Sequence, residues 1–146
     1  MRMWREFSRE DGASAVEFAL VCVILLVLLT GIVQFGMTLF QYVELVAAAR
    51  EGARWSSMGF PGGSIGSAGT TRNKVYLASG GLQGQMTDGD ISISVAGSGR
   101  EDPTVADMNQ PVTVTVRAQS EVIIPMVNII GRNTIDLAAS STMKVE

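Results

Sequence analysis

The sequence predicts an α+β chain, in which a long N-terminal membrane-spanning helix carries a small antiparallel β-sheet domain packed on its extracytoplasmic half. Three observations lead there. Residues 18–43 form 26 consecutive positions without a formal charge, bounded by Glu17 and Glu44. Three later segments alternate apolar and polar residues with period two, the signature of half-buried strands. The composition is 47% apolar and only 17% charged, against an ordinary charged fraction of about 25%. In 146 residues, room for about one domain, that excess of apolar side chains is more than a soluble core of this size absorbs.

The same arithmetic excludes whole classes of chemistry. There is no histidine, and the single cysteine, Cys22, lies within the apolar run. Ser-His-Asp and Cys-His catalysis, histidine-based zinc sites and an internal disulfide are thereby removed. With 11 basic and 14 acidic residues and a net charge of -3, no basic field exists to neutralise phosphates, so nucleic acid is a poor partner.

Taken in chain order, the first element is a charged leader. It carries Arg2, Arg5 and Arg9 against Glu6, Glu10 and Asp11. Membrane orientation follows Lys and Arg rather than net charge, and the far flank of the apolar run has neither until Arg50. The expected topology therefore keeps the N-terminus in the cytoplasm and the rest outside. The run that follows, at about 1.5 Å per residue, exceeds the roughly 30 Å of a hydrocarbon core. A secretory signal is the competing reading. Its apolar region is only about 7 to 15 residues and ends at a small-residue site, whereas the exits here, Thr30-Gly31 and Phe35-Gly36, lack an A-x-A pattern.

The junction between leader and helix, Asp11-Gly12-Ala13-Ser14-Ala15-Val16-Glu17-Phe18, is the most unusual stretch. A carboxylate at the edge of hydrocarbon costs several kcal/mol unless paired or held at the interface. Were the chain cut after Gly12, the new amine of Ala13 and the carboxylate of Glu17 would stand four residues apart on one helical face, or meet across neighbouring copies. Gly12, four residues, then Glu17-Phe18 and a long apolar helix resembles the class III signal of type IVb pilins and pseudopilins. The longer string AVEFALVCVILLVLLTGIVQFG, followed by Arg50-Glu51-Gly52-Ala53-Arg54, is similar to the TadE-like proteins of tight-adherence (Flp) pilus systems, and residues 111–146 also resemble that family's ending.

The resemblance implies a pilin-like fold and cleavage between Gly12 and Ala13 by a membrane-embedded prepilin peptidase. Glu17, beside Phe18, would take the family's assembly role at the fifth mature position, pairing with the amine of a neighbouring subunit. It also implies a minor pilin or pseudopilin, because the family's major shaft subunits are much shorter. Its partners would be the membrane, the peptidase, other pilin or pseudopilin subunits and the pilus assembly machinery, in a bacterial inner membrane or the assembled adhesive filament. The alternative is an uncleaved single-span envelope protein that scaffolds the pilus or secretion machine, with Glu17 marking the membrane surface.

The helix is expected to continue outward to about residue 58, with Val43, Val46 and Ala49, or Ala53 a turn later, on its apolar face. Gly31 and Gly36 interrupt it, and Ala15 with Ala19 forms a small-xxx-small pair. These four are candidates for close helix packing, or else ordinary small residues of a membrane helix. Arg50, Glu51 and Arg54 form either a subunit contact or a solvated face; Glu51 and Arg54 stand at i,i+3. Trp55 and Tyr42 either anchor at the outer interface or cover the sheet.

Five of the eleven residues 59–69 are glycine, which reads as a flexible connector. Thr70 or Thr71 then caps a short helix through Ala78, stopped by Gly80-Gly81, with Val75 and Leu82 or Tyr76 inward. Strands follow at Ile91, Ile93 and Val95; at Val112, Val114 and Val116; and at Ile135, Leu137, Ala139 and Met143. The apolar stretch Val122–Ile130, with Pro125, is either a buried connection or an adhesive surface.

Other sites fail on chemistry. Asp88, Asp90, Glu101, Asp102 and Asp107 lack the alternating acids and bidentate glutamate of a calcium loop, so Asp88-Gly89 reads as a turn. Gly97-Ser98-Gly99 lacks the third glycine of a dinucleotide site and is likewise a turn. No catalytic residue, metal ligand, cofactor or small-molecule substrate is nominated, and an enzyme is not expected. The expected organisation is a leader at 1–12, a long helix at 13–58 and an extracytoplasmic α+β domain at 59–146.

Overall fold

The computed structural model describes residues 9–103, 107–122 and 134–146, with only the backbone at 9–11. All but the first position of the stretch 122–130 therefore lies outside the described residues, as do Arg2 and Arg5 of the leader. Helix α1 covers Arg9–Ser57, a run of 49 residues. It is already helical at Arg9, the first described residue, and passes through Gly12 and Ala13. Leu, Val, Ile and Ala around the whole circumference supply good to moderate helix formers, and proline is absent throughout.

Two compact units divide the chain, Met1–Gly36 and Met37–Glu146. The unit that holds the sheet thus takes in the last turns of α1 as well as residues 59–146. Within the first unit the apolar side chains stand open on every side. Phe18 is 73% exposed, Leu25 62% and Phe35 70%, although each is of a type normally buried.

In the second unit, α2 covers Thr71–Ala78, followed by short 3-10 turns at Gly80–Gln85 and Asp88–Asp90. Thr70 caps α2, its hydroxyl accepting the Asn73 N–H at 3.3 Å, as its sequence position predicts. The helix ends against Gly80, whose φ of +54° suits glycine. Strands β1 (Ile91–Val95), β2 (Pro111–Glu121) and β3 (Thr134–Lys144) form one antiparallel sheet in the order β1-β2-β3. Ile93 lies opposite Val114, and Val116 opposite Ala139. Pro111 opens β2, where a missing N–H disturbs the ladder least.

The period-two expectation holds through β1 and β2. Ile91, Ile93, Val95, Val112, Val114 and Val116 are all buried, whereas Ser92 and Ser94 are exposed. On β3 the shared face includes Ala139, Leu137 and Met143, but Ile135 is 40% exposed. It pairs with Ser120 near the end of the sheet.

The cover is the outer part of α1, with Val75 and Leu82 closing the side. Leu45, Ala48, Ala49 and Ala53 are fully buried, as are Val75 and Val95. Val43, placed on the inward face by its spacing, is instead 59% exposed. The buried stripe runs Leu45, Ala48, Ala49, Gly52, Ala53 and Ser56, one face at helical spacing. Its residues are small because helix and sheet approach closely. A Cβ on Gly52 would collide with Val75 Cγ2 and lie 3.1 Å from Val114 Cγ1.

The glycine-rich loop 59–69 differs from the expected flexible connector. Gly62 N–H donates to Asp102 Oδ1 at 2.6 Å, Ile65 N–H to Asp88 Oδ1 at 2.7 Å and Gly66 N–H to Asn73 Oδ1 at 3.0 Å. Arg72 braces it from inside, donating to Gly63 O at 2.6 Å while pairing with Glu101 at 2.8 Å. Glycine leaves the backbone N–H groups of this loop open to acceptors from residues distant in sequence. The far end of β3 is tied back as well, since Glu146 N–H reaches Ser57 O at 2.9 Å.

Candidate functional site

The candidate site is linear, and it lies along α1. Gly12, Ala13, Ala15, Glu17, Phe18 and Ala19 are consecutive exposed helical positions or near neighbours, and all are exposed. At 3.6 residues per turn Ala13 and Glu17 share a face, as do Ala15 and Ala19. One turn before Glu17 stand the small residues Ala13 and Ser14, and one turn after it the exposed Leu20 and Val21.

Beyond Phe18 the uncharged run reaches about 39 Å along the axis at about 1.5 Å per residue, enough to cross a hydrocarbon core. Among the described residues it is one helix long and apolar enough to do so. Thr30 hides its hydroxyl by donating to Leu26 O at 2.8 Å, the usual way a helix carries a threonine through an apolar medium. Gly31 and Gly36 have nothing within 4 Å of where a Cβ would stand. Both are open notches on the helix surface, and neither bends into a contact.

The second group nominated by sequence, Arg50, Glu51 and Arg54, divides. Glu51 Oε2 lies 3.8 Å from Arg54 Nη1, while Glu51 Oε1 accepts the Trp55 indole N–H at 3.0 Å. Trp55 then packs on Phe60, ring centroids 4.3 Å apart, under Lys74 Nζ at 4.3 Å. Glu51 therefore orients Trp55 against the sheet unit. Arg50 is exposed.

Two groups escaped sequence reasoning. Glu44 reaches from α1 to the turn at Gly80–Gln85, where its Oε1 accepts the Gly81 N–H at 3.4 Å and any Cβ on Gly80 would strike it. Gly52 allows the close helix-sheet approach. Nothing local marks either, since both depend on what lies across the interface. Three of the acids, Asp88, Asp90 and Asp102, hold backbone N–H groups. Asp88 and Asp102 anchor the glycine-rich loop, and Asp90 accepts the N–H and hydroxyl of Thr87 at 2.8 and 2.7 Å.

Against known families, residues 12–54 match the family model described as TadE-like protein. No curated protein and no solved structure matches the chain. The match begins at Gly12, runs through the apolar helix and ends at Arg54; the resemblance of residues 111–146 stands outside it. Residues 12–54 are therefore similar to the TadE-like proteins.

Proposed function

We propose that this protein is a minor pilin or pseudopilin of a tight-adherence pilus, held in the membrane by α1 until it is assembled. The observation that carries the reading is the part of α1 between Gly12 and Gly36. Its large apolar side chains are exposed over the length of a bilayer, and it carries one acid, Glu17, five residues after Gly12. A helix without a buried face in its own chain needs lipid before assembly and neighbouring helices after it. Glu17 is the group whose charge has a use only in the second setting, where a neighbour's amine can pair with it.

In this reading a prepilin peptidase cuts between Gly12 and Ala13, creating that amine. The leader arginines stay cytoplasmic and the sheet unit lies outside. The sheet unit contributes to filament assembly or to a tip used in adhesion. The chain carries no catalytic role in this scheme.

The continuity of α1 through Gly12 favours a second reading, because an uncut helix from Arg9 onward is also a sound single-span anchor for a scaffold of the machine. Intact mass of the protein purified from its native membrane separates the two. The pilin reading expects a chain that starts at Ala13. Finding only the Met1 form in cells with a working prepilin peptidase overturns it in favour of the anchor.

A further inference from the structure

We propose that β3 is a pairing edge, and that two copies of this chain join antiparallel through it about a two-fold axis at Ser140. In the order β1-β2-β3, strand β3 pairs with β2 on one side and with no described strand on the other. It is 11 residues long, and an uncovered edge of that length offers a row of backbone donors and acceptors to another chain. Val145 turns both its backbone groups toward β2, its N–H to Gln110 O and its C=O to Asn109 N–H, each at 2.9 Å. By the period of two, residues 136, 138, 140, 142 and 144 direct their N–H and C=O groups away from β2, along the edge that no described strand pairs.

The residues along that edge select the occupant. Protected edges carry charges in mid-strand, but here Ala138, Ala139, Ser140, Ser141 and Thr142 are small and uncharged. The two charges, Asp136 and Lys144, sit at equal distances on either side of Ser140. An antiparallel copy in that register sets Asp136 opposite the second copy's Lys144, twice by symmetry. Ser140 then faces itself, and Leu137 lies opposite Met143. Leu137 and Met143 are the half-buried apolar residues that the sheet's own core leaves partly open. An in-register parallel pair would instead set Asp136 against Asp136 and Lys144 against Lys144. The charge pattern therefore favours a closed, two-fold interface over parallel pairing. This inference concerns the sheet unit and stands whether or not Gly12 is cleaved.

The test uses the full chain in detergent micelles or lipid nanodiscs, with self-association followed by sedimentation or single-pair fluorescence. D136K and K144D should each weaken self-association by roughly tenfold, because both symmetric pairs become like-charged. A 1:1 mixture of the two variants should recover the parent's affinity, since every cross-pair is again opposite; recovery also shows that both variants fold. In a C22S background, S140C should oxidise to a disulfide dimer and S92C, on the β1 edge, should not. If either single variant associates as tightly as the parent, or the mixture fails to recover, or S92C cross-links as readily as S140C, the proposal is overturned. Association through α1 alone would give the first of these results.

Discussion

The two parts of α1 differ in what becomes of their apolar side chains. Before Gly36 the large apolar side chains project in every direction, Leu25 62% exposed among them; after Met37 a single face disappears under the sheet, with Leu45 at 0%. Propensity does not separate them, because both are helical without a break. Distribution does. Apolar residues all round a helix require an apolar surrounding, whereas small residues in one stripe require one close partner surface. The size of the side chain on the buried stripe then sets how closely that partner comes.

The widest test of this contrast is a pair of identical substitutions. Leu45→Ala opens a cavity in the core cluster that also holds Ala48, Val75 and the strand valines, and should cost the sheet unit about 3 kcal/mol. Leu25→Ala should cost that unit nothing, because its side chain is exposed and belongs to the other unit. Hydrogen exchange of the β1 to β3 amides in the full chain measures both. About a hundredfold faster exchange is expected for the first variant and none for the second. Equal effects would break the distinction between the two parts of the helix.

Glycines sharpen it further. Gly52→Ala brings a Cβ into Val75 and close to Val114 inside a packed core, and should destabilise the sheet unit by about 1 to 3 kcal/mol. Gly36→Ala meets nothing within 4 Å and adds helix propensity, so the same exchange measurement should stay unchanged. The ordinary benefit of replacing a helical glycine is thus reversed at Gly52 by the surface opposite it.

What the sequence reveals follows the range of the interaction. The strands were legible because alternation is local: Ile91, Ile93 and Val95 display it within five residues. So was α2, bracketed by Thr70 and Gly80. The inward face of α1 was misplaced at Val43 because three alanines in a row, Ala47 to Ala49, leave several faces almost equally apolar, and the sheet makes the choice. Loop 59–69 read as loose because the acceptors that hold it, Asp88 and Asp102, lie 23 and 40 residues away. The junction residues Gly12, Ala13, Glu17 and Phe18 were nominated because they are contiguous in sequence and need no tertiary partner to be noticed; their role is the proposal made above. Glu44 and Gly52 were not, because each takes its meaning from the side chain or turn that it faces.

Glu17→Ala should have the smallest effect on the fold of all these changes. The side chain is exposed and lies in the other compact unit, so exchange from β1 to β3 should match the parent. Membrane retention should hold or improve, because a carboxylate is removed from the edge of hydrocarbon. Incorporation into pili, followed by immunoblot of sheared filaments, should fall severalfold, because the negative group that meets a neighbour's amine is gone. Glu17→Asp, which keeps the charge on a shorter stem, should recover part of it. A normal yield of filament-bound Glu17→Ala protein would show that the acid only marks the membrane surface. In that case the contrast within α1 would be one of solvent alone, with no assembly role written into its first turns.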